Sequence, residues 1–435
     1  MADARISIAG SDPLVDDRMR GFPAGARPLP LSQIGKQGWR PFDGRMSLPL
    51  ISLDRAAFAG NVRAMMSYAR AEGIEIAPHA KTPMSAAIAA ELVAAGAWGT
   101  TVADIRQASV MLKTGLPRLI LANEIGGRMA ASRLASLLAG HPDAEVHVFV
   151  DSVELVTALA AAWRERDDLP PLGLLVELGL ARAGARSVPA AATVLDAVLA
   201  TETSRFRLAG IGSYEGAAAT DDPEETRTRI DRLMVMTGDL LALARARATD
   251  RKLLVTAGGS IYFDLAVKAL KPLVVSDGSA RLVLRSGAIF FHDHGVYERG
   301  LEALDVRGGF RRAGKRASTA FRPALRLWAE VLSCPEPGLA ICGMGLRDVA
   351  MDQGLPRPLK TYRDGQFQSL LDRAAVTRLN DQHAFVAIPA DTDMRIGDVV
   401  EFGISHPCTC LDRHAILYGL DQDGTVTAAY ATCFG

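Results

Sequence analysis

Between residues 74 and 285 short β-branched runs alternate with longer Ala-, Leu- and Arg-rich stretches, and eight such runs pass before the pattern changes. The strand-like runs fall at 74–77, 99–102, 118–122, 145–150, 172–177, 207–213, 252–256 and 281–285. Between them the spacing predicts helices over 84–94, 104–112, 152–163, 188–199 and 223–248. In the last of these Ile230, Leu233, Met234, Leu240 and Leu241 recur at helical spacing with Arg and Asp between them. Eight strands, each followed by a helix or a crossover, is the number that closes a (β/α)8 barrel. A doubly wound open sheet shows the same alternation. The barrel is preferred because the count reaches eight before the pattern stops.

After about residue 290 helical periodicity gives way to short strands near 325–332, 339–341, 384–388, 398–402, 415–418 and 426–429. Turn-like segments such as Pro335-Glu336-Pro337-Gly338 and Asp421-Gln422-Asp423-Gly424 punctuate them. This reads as a mostly antiparallel β domain. The first 45 or so residues are Pro/Gly-rich and weakly periodic, an arm or strap across a neighbour. The expected division is an arm at 1–47, a barrel at 48–290 and a β domain at 291–435.

Lys+Arg and Asp+Glu both number 49, so the formal net charge is zero. Nucleic-acid and anionic-membrane partners usually require a basic excess, and neither is expected here. The balance fits a soluble enzyme handling a small zwitterion. Residues 1–6 lack the basic start of a signal peptide, and no apolar stretch reaches spanning length without a charge. Five cysteines, all late in the chain, do not form a disulfide framework. A reducing cytoplasm is the expectation.

Lys81 lies in Pro78-His79-Ala80-Lys81-Thr82, directly after the first strand-like run. A lysine at a barrel strand's carboxyl end stands where active sites are built, and burial there would lower its pKa and make it a carbonyl nucleophile and a base. A solvated surface lysine is the other reading. Gly258-Gly259-Ser260 follows the seventh strand, where backbone N–H groups and a helix start suit a phosphate, though a tight turn explains the glycines equally well. His406 and Cys408 are two residues apart. On an extended backbone they share a face and can grip one zinc ion, with Cys410 a third ligand or a spectator. A buried Cys beside a hydrogen-bonded His is the alternative. Arg182 and Tyr214 end the fifth and sixth strands, where an arginine can tune a ring nitrogen and a tyrosine can stack. His292-Asp293-His294 reads as packing or substrate contact, and Asp381-Gln382-His383 as a turn.

In this order these elements resemble the D-serine dehydratase / D-threonine aldolase group of pyridoxal-phosphate enzymes, with the alanine racemase-type fold. The resemblance rests on the lysine pentapeptide, Arg182-Ala183-Gly184, Tyr214-Glu215-Gly216, Gly258-Gly259-Ser260, Arg285-Ser286-Gly287 with Asp293, Asp381-Gln382-His383 and His406-Pro407-Cys408-Thr409. It spans residues 48 to 430. It implies Lys81 as the Schiff-base lysine; His79, Arg182 and Tyr214 as cofactor contacts; and Gly258, Gly259 and Ser260 as the phosphate cradle. It implies His406 and Cys408 as ligands of Zn2+, with Mn2+ as the alternative. In this group His-x-Cys goes with the dehydratases and His-x-Asp with the aldolases. The implied reaction is therefore β-elimination from a D-3-hydroxy amino acid, D-serine first, giving a keto acid and ammonia. Retro-aldol cleavage of a D-threonine type substrate is the alternative, and a non-catalytic pyridoxal-phosphate carrier the distant one. A head-to-tail homodimer is implied too. One departure is Pro83-Met84 after Thr82, where many relatives continue His-Lys.

Overall fold

The computed structural model describes residues 12–434. Among these, the chain forms two compact units that interleave along the sequence. One holds residues 66–81 and 89–287, and the other holds the residues up to 65, 82–88 and those from 288 on. The linear division at 47/48 and 290/291 does not capture this interleaving.

In the first unit, eight parallel strands appear where the β-branched runs predicted them. They are β1 (Glu75–Ile76), β2 (Thr100–Val102), β3 (Arg118–Leu121), β4 (Glu145–Val150), β5 (Leu172–Leu178), β6 (Phe206–Ser213), β7 (Leu254–Ala257) and β8 (Arg281–Leu284). From β2 onward each pairs in parallel with the next, and β8 pairs with β1. The ring closes between β1 and β2. There Trp98 N–H donates to Ile76 O at 2.8 Å, Thr101 N–H to Pro78 O at 3.0 Å and Ala80 N–H to Thr101 O at 2.8 Å.

The strands read as near-continuous apolar runs because both faces are covered; all seven residues of β5 are buried. The interior is packed by Ala77, Ile120, Phe149, Leu175, Leu254 and Val283. Gly210 is required where β6 crosses β7, since a Cβ there would lie 1.9 Å from Leu254 O.

Seven helices separate the strands: α1 (Ala86–Ala94), α2 (Ile105–Lys113), α3 (Gly127–Ala139), α4 (Val153–Arg164), α5 (Val188–Ala200), α6 (Pro223–Arg247) and α7 (Phe263–Asp277). Their starts carry local signals. Asp104 accepts from Gln107 N–H before α2, Ser187 from Ala190 N–H before α5, and Asp222 from Glu224 and Glu225 N–H before α6.

The second unit is built on an antiparallel sheet. Its strands are β9 (Leu325–Glu336), β10 (Leu339–Cys342), β11 (Arg357–Arg363), β12 (Gln366–Leu370), β13 (Ala375–Leu379), β14 (Ala384–Ala387), β15 (Val399–Gly403), β16 (Ile416–Leu420) and β17 (Val426–Ala431). Across the sheet the order is β12-β11-β15-β9-β10-β14-β13. The strand Leu50–Asp54 pairs antiparallel with β9 and parallel with β16, so residues placed in the barrel by the sequence belong to this sheet. The described part of the arm packs on its own unit. Phe22, Trp39 and Phe42 join Leu50, Trp328 and Tyr418 in one cluster, and Phe42 stacks on Tyr362 at 4.3 Å. Among the described residues no helix is long and apolar enough to cross a membrane.

The shielded Arg245–Asp277 pair joins α6 to the end of α7, with Nε 2.7 Å from Oδ2 and a second bond of 2.9 Å. Arg245 chiefly draws the Asp277 carboxyl down from 3.8 to about 2. Its folded pKa lies below the unfolded one, so the stability it contributes is present above pH 3.8 and fades as pH falls towards 2. Urea denaturation of D277N against wild type is expected to show a less stable variant at neutral pH. The difference should shrink over that acid window.

Candidate active site

Parallel strands in a closed ring put all eight carboxyl ends on one rim, and Lys81 leaves that rim directly after the last closing hydrogen bond at Ala80. The Lys81 side chain is exposed rather than buried, contrary to the burial considered from sequence. Its backbone N–H donates to His79 Nδ1 at 3.4 Å. Burial first, then the charges of Lys81, Arg285 and Arg182, push the His79 pKa well below its usual value, so its imidazole is neutral.

Around the same rim Arg182 lays its guanidinium 5.0 Å above the Tyr214 ring. Gly258 takes a φ of +86°, which favours glycine. Its N–H donates to Glu215 Oε2 at 3.0 Å, and Gly259 N–H donates to Glu215 Oε1. A Cβ on Gly259 would meet Tyr214 at 3.0 Å, so the loop is pressed close under that ring. The two N–H groups assigned to a phosphate are thus already held by a buried carboxylate. Ser260 follows them, nearly buried.

Arg285, also buried, donates to Thr256 Oγ1 at 2.8 Å and to Ser213 O at 2.7 Å, over the face of Phe149 at 5.1 Å. Burial lowers its pKa against the opposing pull of Glu215, Glu177 and Tyr214.

Glu177 and Glu124 escaped the sequence reading. Glu177 is 2 % exposed near the end of β5, and Glu124 lies in the segment after β3. Burial first, then Glu124, raises the Glu177 carboxyl to about 9. The available signal was an acid inside the apolar run Leu172–Leu178.

In the other unit, His406 and Cys408 do not lie on an extended strand. His406 is the N-cap of a short helix, Pro407–Leu411, with Cys408 in its first turn. Proline at the first helical position suits a helix start, which is the reason the i, i+2 strand argument fails. The two side chains still meet. Burial lowers the His406 pKa, but hydrogen bonds with Cys408 and Asp352 outweigh it and hold the ring up to about 9. His406 Nδ1 lies 2.7 Å from Asp352 Oδ2, and Thr409 Oγ1 donates to Asp352 Oδ1 at 2.8 Å.

Asp352 was not legible because it sits 54 residues before His406. Cys408 Sγ is 3.2 Å from the hydroxyl of Thr82, the residue that follows Lys81 in the chain. Cys410 is buried elsewhere, its Sγ 3.8 Å from Asp348 O, which makes it a spectator. Asp293 caps the following turn, accepting from Gly295 and Tyr297 N–H. Asp381–His383 is the turn between β13 and β14.

The residues fit a pyridoxal phosphate in most respects: an accessible amine, a neutral imidazole, a stacked Arg–Tyr pair and a buried guanidinium. Its phosphate would draw on donors from Ser260 onward or compete with Glu215. The second site fits a divalent ion with a two-residue donor set. Asp352 accepts the His406 Nδ1 proton, which would leave Nε2 to meet an ion that displaces its proton, and Cys408 offers sulfur. No cluster of three or more such side chains exists among the described residues.

Two family descriptions match the chain: "Alanine racemase, N-terminal domain" over residues 53–260 and "Putative serine dehydratase domain" over residues 324–420. The D-threonine aldolase of Arthrobacter sp is 26% identical over 388 residues, 88% of this chain and 91% of that protein. The D-threo-3-hydroxyaspartate dehydratase of Delftia sp. (strain HT23) is 26% identical over 395 residues, 87% and 94%. The solved D-threonine aldolase of Filomicrobium marinum superposes with a TM-score of 0.71 at 23% identity, covering 89% of this chain and 95% of that one, which establishes the shared fold. The chain therefore carries an alanine racemase N-terminal domain and a putative serine dehydratase domain, on an alanine racemase-type fold.

Proposed function

We propose that this chain is a pyridoxal-phosphate-dependent lyase of D-3-hydroxy amino acids that uses a divalent metal, and that it dehydrates D-serine to a keto acid and ammonia. The observation that carries the reading is local. Lys81 is followed by Thr82, whose hydroxyl touches Cys408, the sulfur half of the metal-ligand pair. The relatives' activities support the lyase class, and His-x-Cys favours elimination over retro-aldol cleavage.

Lys81 Nζ would hold the cofactor, which when bound supplies an electron sink for the substrate's α-carbon. His406 Nε2 and Cys408 Sγ would hold the ion, which supplies Lewis acidity towards the β-oxygen, worth several kcal/mol as hydroxide departs. The rest falls to the chain. Lys81 Nζ, released when the substrate amine takes its place, would take the α-proton. Neutral His79 braces the lysine turn through its Nδ1 without adding positive charge beside the amine. Arg182, stacked on Tyr214, presents a cation at the rim for the substrate carboxylate. Asp352 fixes the tautomer and orientation of His406. Loss of the α-proton and of hydroxide leaves an enamine acid, which water converts to the keto acid and ammonia.

Zinc is preferred to manganese because thiolate is soft. Assay of the holoenzyme on D-serine and D-threonine, before and after chelation, is expected to yield keto acid and ammonia from D-serine. Activity should fall on chelation and return with zinc. Glycine with an aldehyde would instead make the enzyme an aldolase, and indifference to chelator would remove the metal. K81A is expected to lose the visible absorbance of the bound cofactor.

D352A is expected to weaken zinc binding roughly 10- to 100-fold, measured by competition with a chromogenic chelator. The fold should survive, because Asp352 is exposed. Unchanged zinc affinity would show that Asp352 does not orient a ligand.

A further inference from the structure

A cavity of about 690 Å³ opens at the amino-terminal end of the barrel, the end opposite Lys81. Its charged wall is set by where the strands begin. Arg118, Glu145 and Arg281 are the first residues of β3, β4 and β8, Arg207 stands at the start of β6, and Lys252 lies just before β7. The space exists because the inward positions behind these residues are small. Barrel interiors are normally filled by layers of large branched side chains. Here Gly173 of β5 and Ala209 of β6 lie together, and a Cβ on Gly173 would come within 2.8 Å of the Ala209 Cβ and collide with the His147 ring. Ala209 and Leu254 belong both to the interior cluster and to the cavity wall, so the cavity is an unfilled lower layer of the barrel.

Five cations line it, Arg118, Arg207, Arg251, Lys252 and Arg281, against two acids, Glu145 and Asp250, in a chain with no net charge. Three of the arginines are matched: Arg118 by Glu145 at 2.7 Å, Arg251 by Glu202 at 2.5 Å and Arg281 by Glu75 at 3.1 Å. Among the described residues Arg207 and Lys252 have no ion pair, which leaves two cations and a single acid, Asp250, unmatched. A second unmet group lies in the wall. His147 Nε2 is 3.4 Å from Glu145 Oε1, and Arg118 keeps that carboxylate ionised, so Nε2 carries the ring proton. Nδ1 is then an acceptor, and it is buried without a partner. Apolar wall comes from Leu208, Ala209, Leu253, Leu254 and Trp98, whose ring lies 5.1 Å under the Arg118 guanidinium.

We propose that this mouth is a second ligand site, for a small hydroxylated organic anion whose phosphate or carboxylate is held by Arg207 and Lys252. The apolar wall takes the carbon body, and a ligand hydroxyl is the donor that His147 Nδ1 lacks. A guanidinium beside an ammonium suits either acid group, and surplus positive charge at a concave mouth concentrates anions from solution. The inference stands apart from the lyase reading, since it uses no residue of the Lys81 rim.

Calorimetric titration of the holoenzyme, freed of unbound cofactor, with glycerol 3-phosphate and with gluconate tests it. One of the two is expected to bind saturably at one site per chain, and which one does so names the acid group. Glycerol, which is uncharged, and chloride at matched ionic strength should give no saturable heat. In R207Q/K252Q the affinity for that anion should fall roughly tenfold or more. The thermal midpoint and the cofactor absorbance should stay as in wild type, because both side chains are exposed. Saturable binding that survives the double substitution would place the anion elsewhere and overturn the proposal. Failure of both anions to bind saturably would make the mouth a solvated rim and overturn it equally.

Discussion

The closing contact between β1 and β2 sets the rest of the site. A parallel ring can be shut only if its first and last neighbours exchange backbone hydrogen bonds, and here the exchange runs through Pro78, Ala80 and Thr101. The Thr101 hydroxyl adds a 2.6 Å bond to Ala77 O. That contact holds the chain extended up to Ala80 and releases it at Lys81, so the amine projects from the rim rather than into the packed interior. Gly287, after β8, is pressed against the same segment, where a Cβ would sit 2.5 Å from His79 O. The lysine turn is therefore gripped from both sides by backbone that has no slack.

The rim gathers charges that would be costly singly. Arg285, Glu215 and Glu177 are all buried, and desolvation disfavours each ionised form. Glu215 and Arg285 persist because fixed partners meet their hydrogen-bonding capacity: Glu215 by two glycine N–H groups, Arg285 by a threonine hydroxyl and a strand-end carbonyl. The glycines assigned to a phosphate turn out to serve Glu215, which couples the loop after β7 to the one after β6. His79 adds a neutral ring rather than another cation because burial first, and then the neighbouring positive charges, keep it unprotonated.

How much of this the sequence disclosed follows from how local each determinant is. Barrel strands are short apolar runs between polar helices, and runs such as Glu145–Val150 and Leu172–Leu178 announce themselves without any partner. By contrast β12, Gln366–Leu370, is mostly exposed and polar, so no apolar signal marked it, and β11 and β13 were missed with it. Leu50–Asp54 fell inside the expected barrel range because its partner β9 lies some 270 residues later. At the site, Lys81, Arg182, Tyr214 and the glycine pair were legible from strand ends. Asp352 and Glu124 were not, since each matters only through a side chain brought to it by folding.

The second centre shows why residue type outlasted a wrong backbone. The i, i+2 argument assumed a strand, whereas Pro407 starts a helical turn after an extended His406. Either geometry lets an imidazole and a thiol two residues apart approach each other. What the strand picture lacked was a reason for the imidazole to present Nε2. Asp352 supplies it by accepting at Nδ1, and Thr409, one residue beyond Cys408, anchors the other carboxylate oxygen. Orientation is thus built from a reciprocal set in which the helix that carries the thiol also fixes the acid that aims the imidazole. Cys410 falls on the buried side of the same turn, where burial pushes its thiol up to about 12 and leaves it unsuited to bind an ion. The distinction between the two cysteines comes from the helical turn itself, which a strand would have erased.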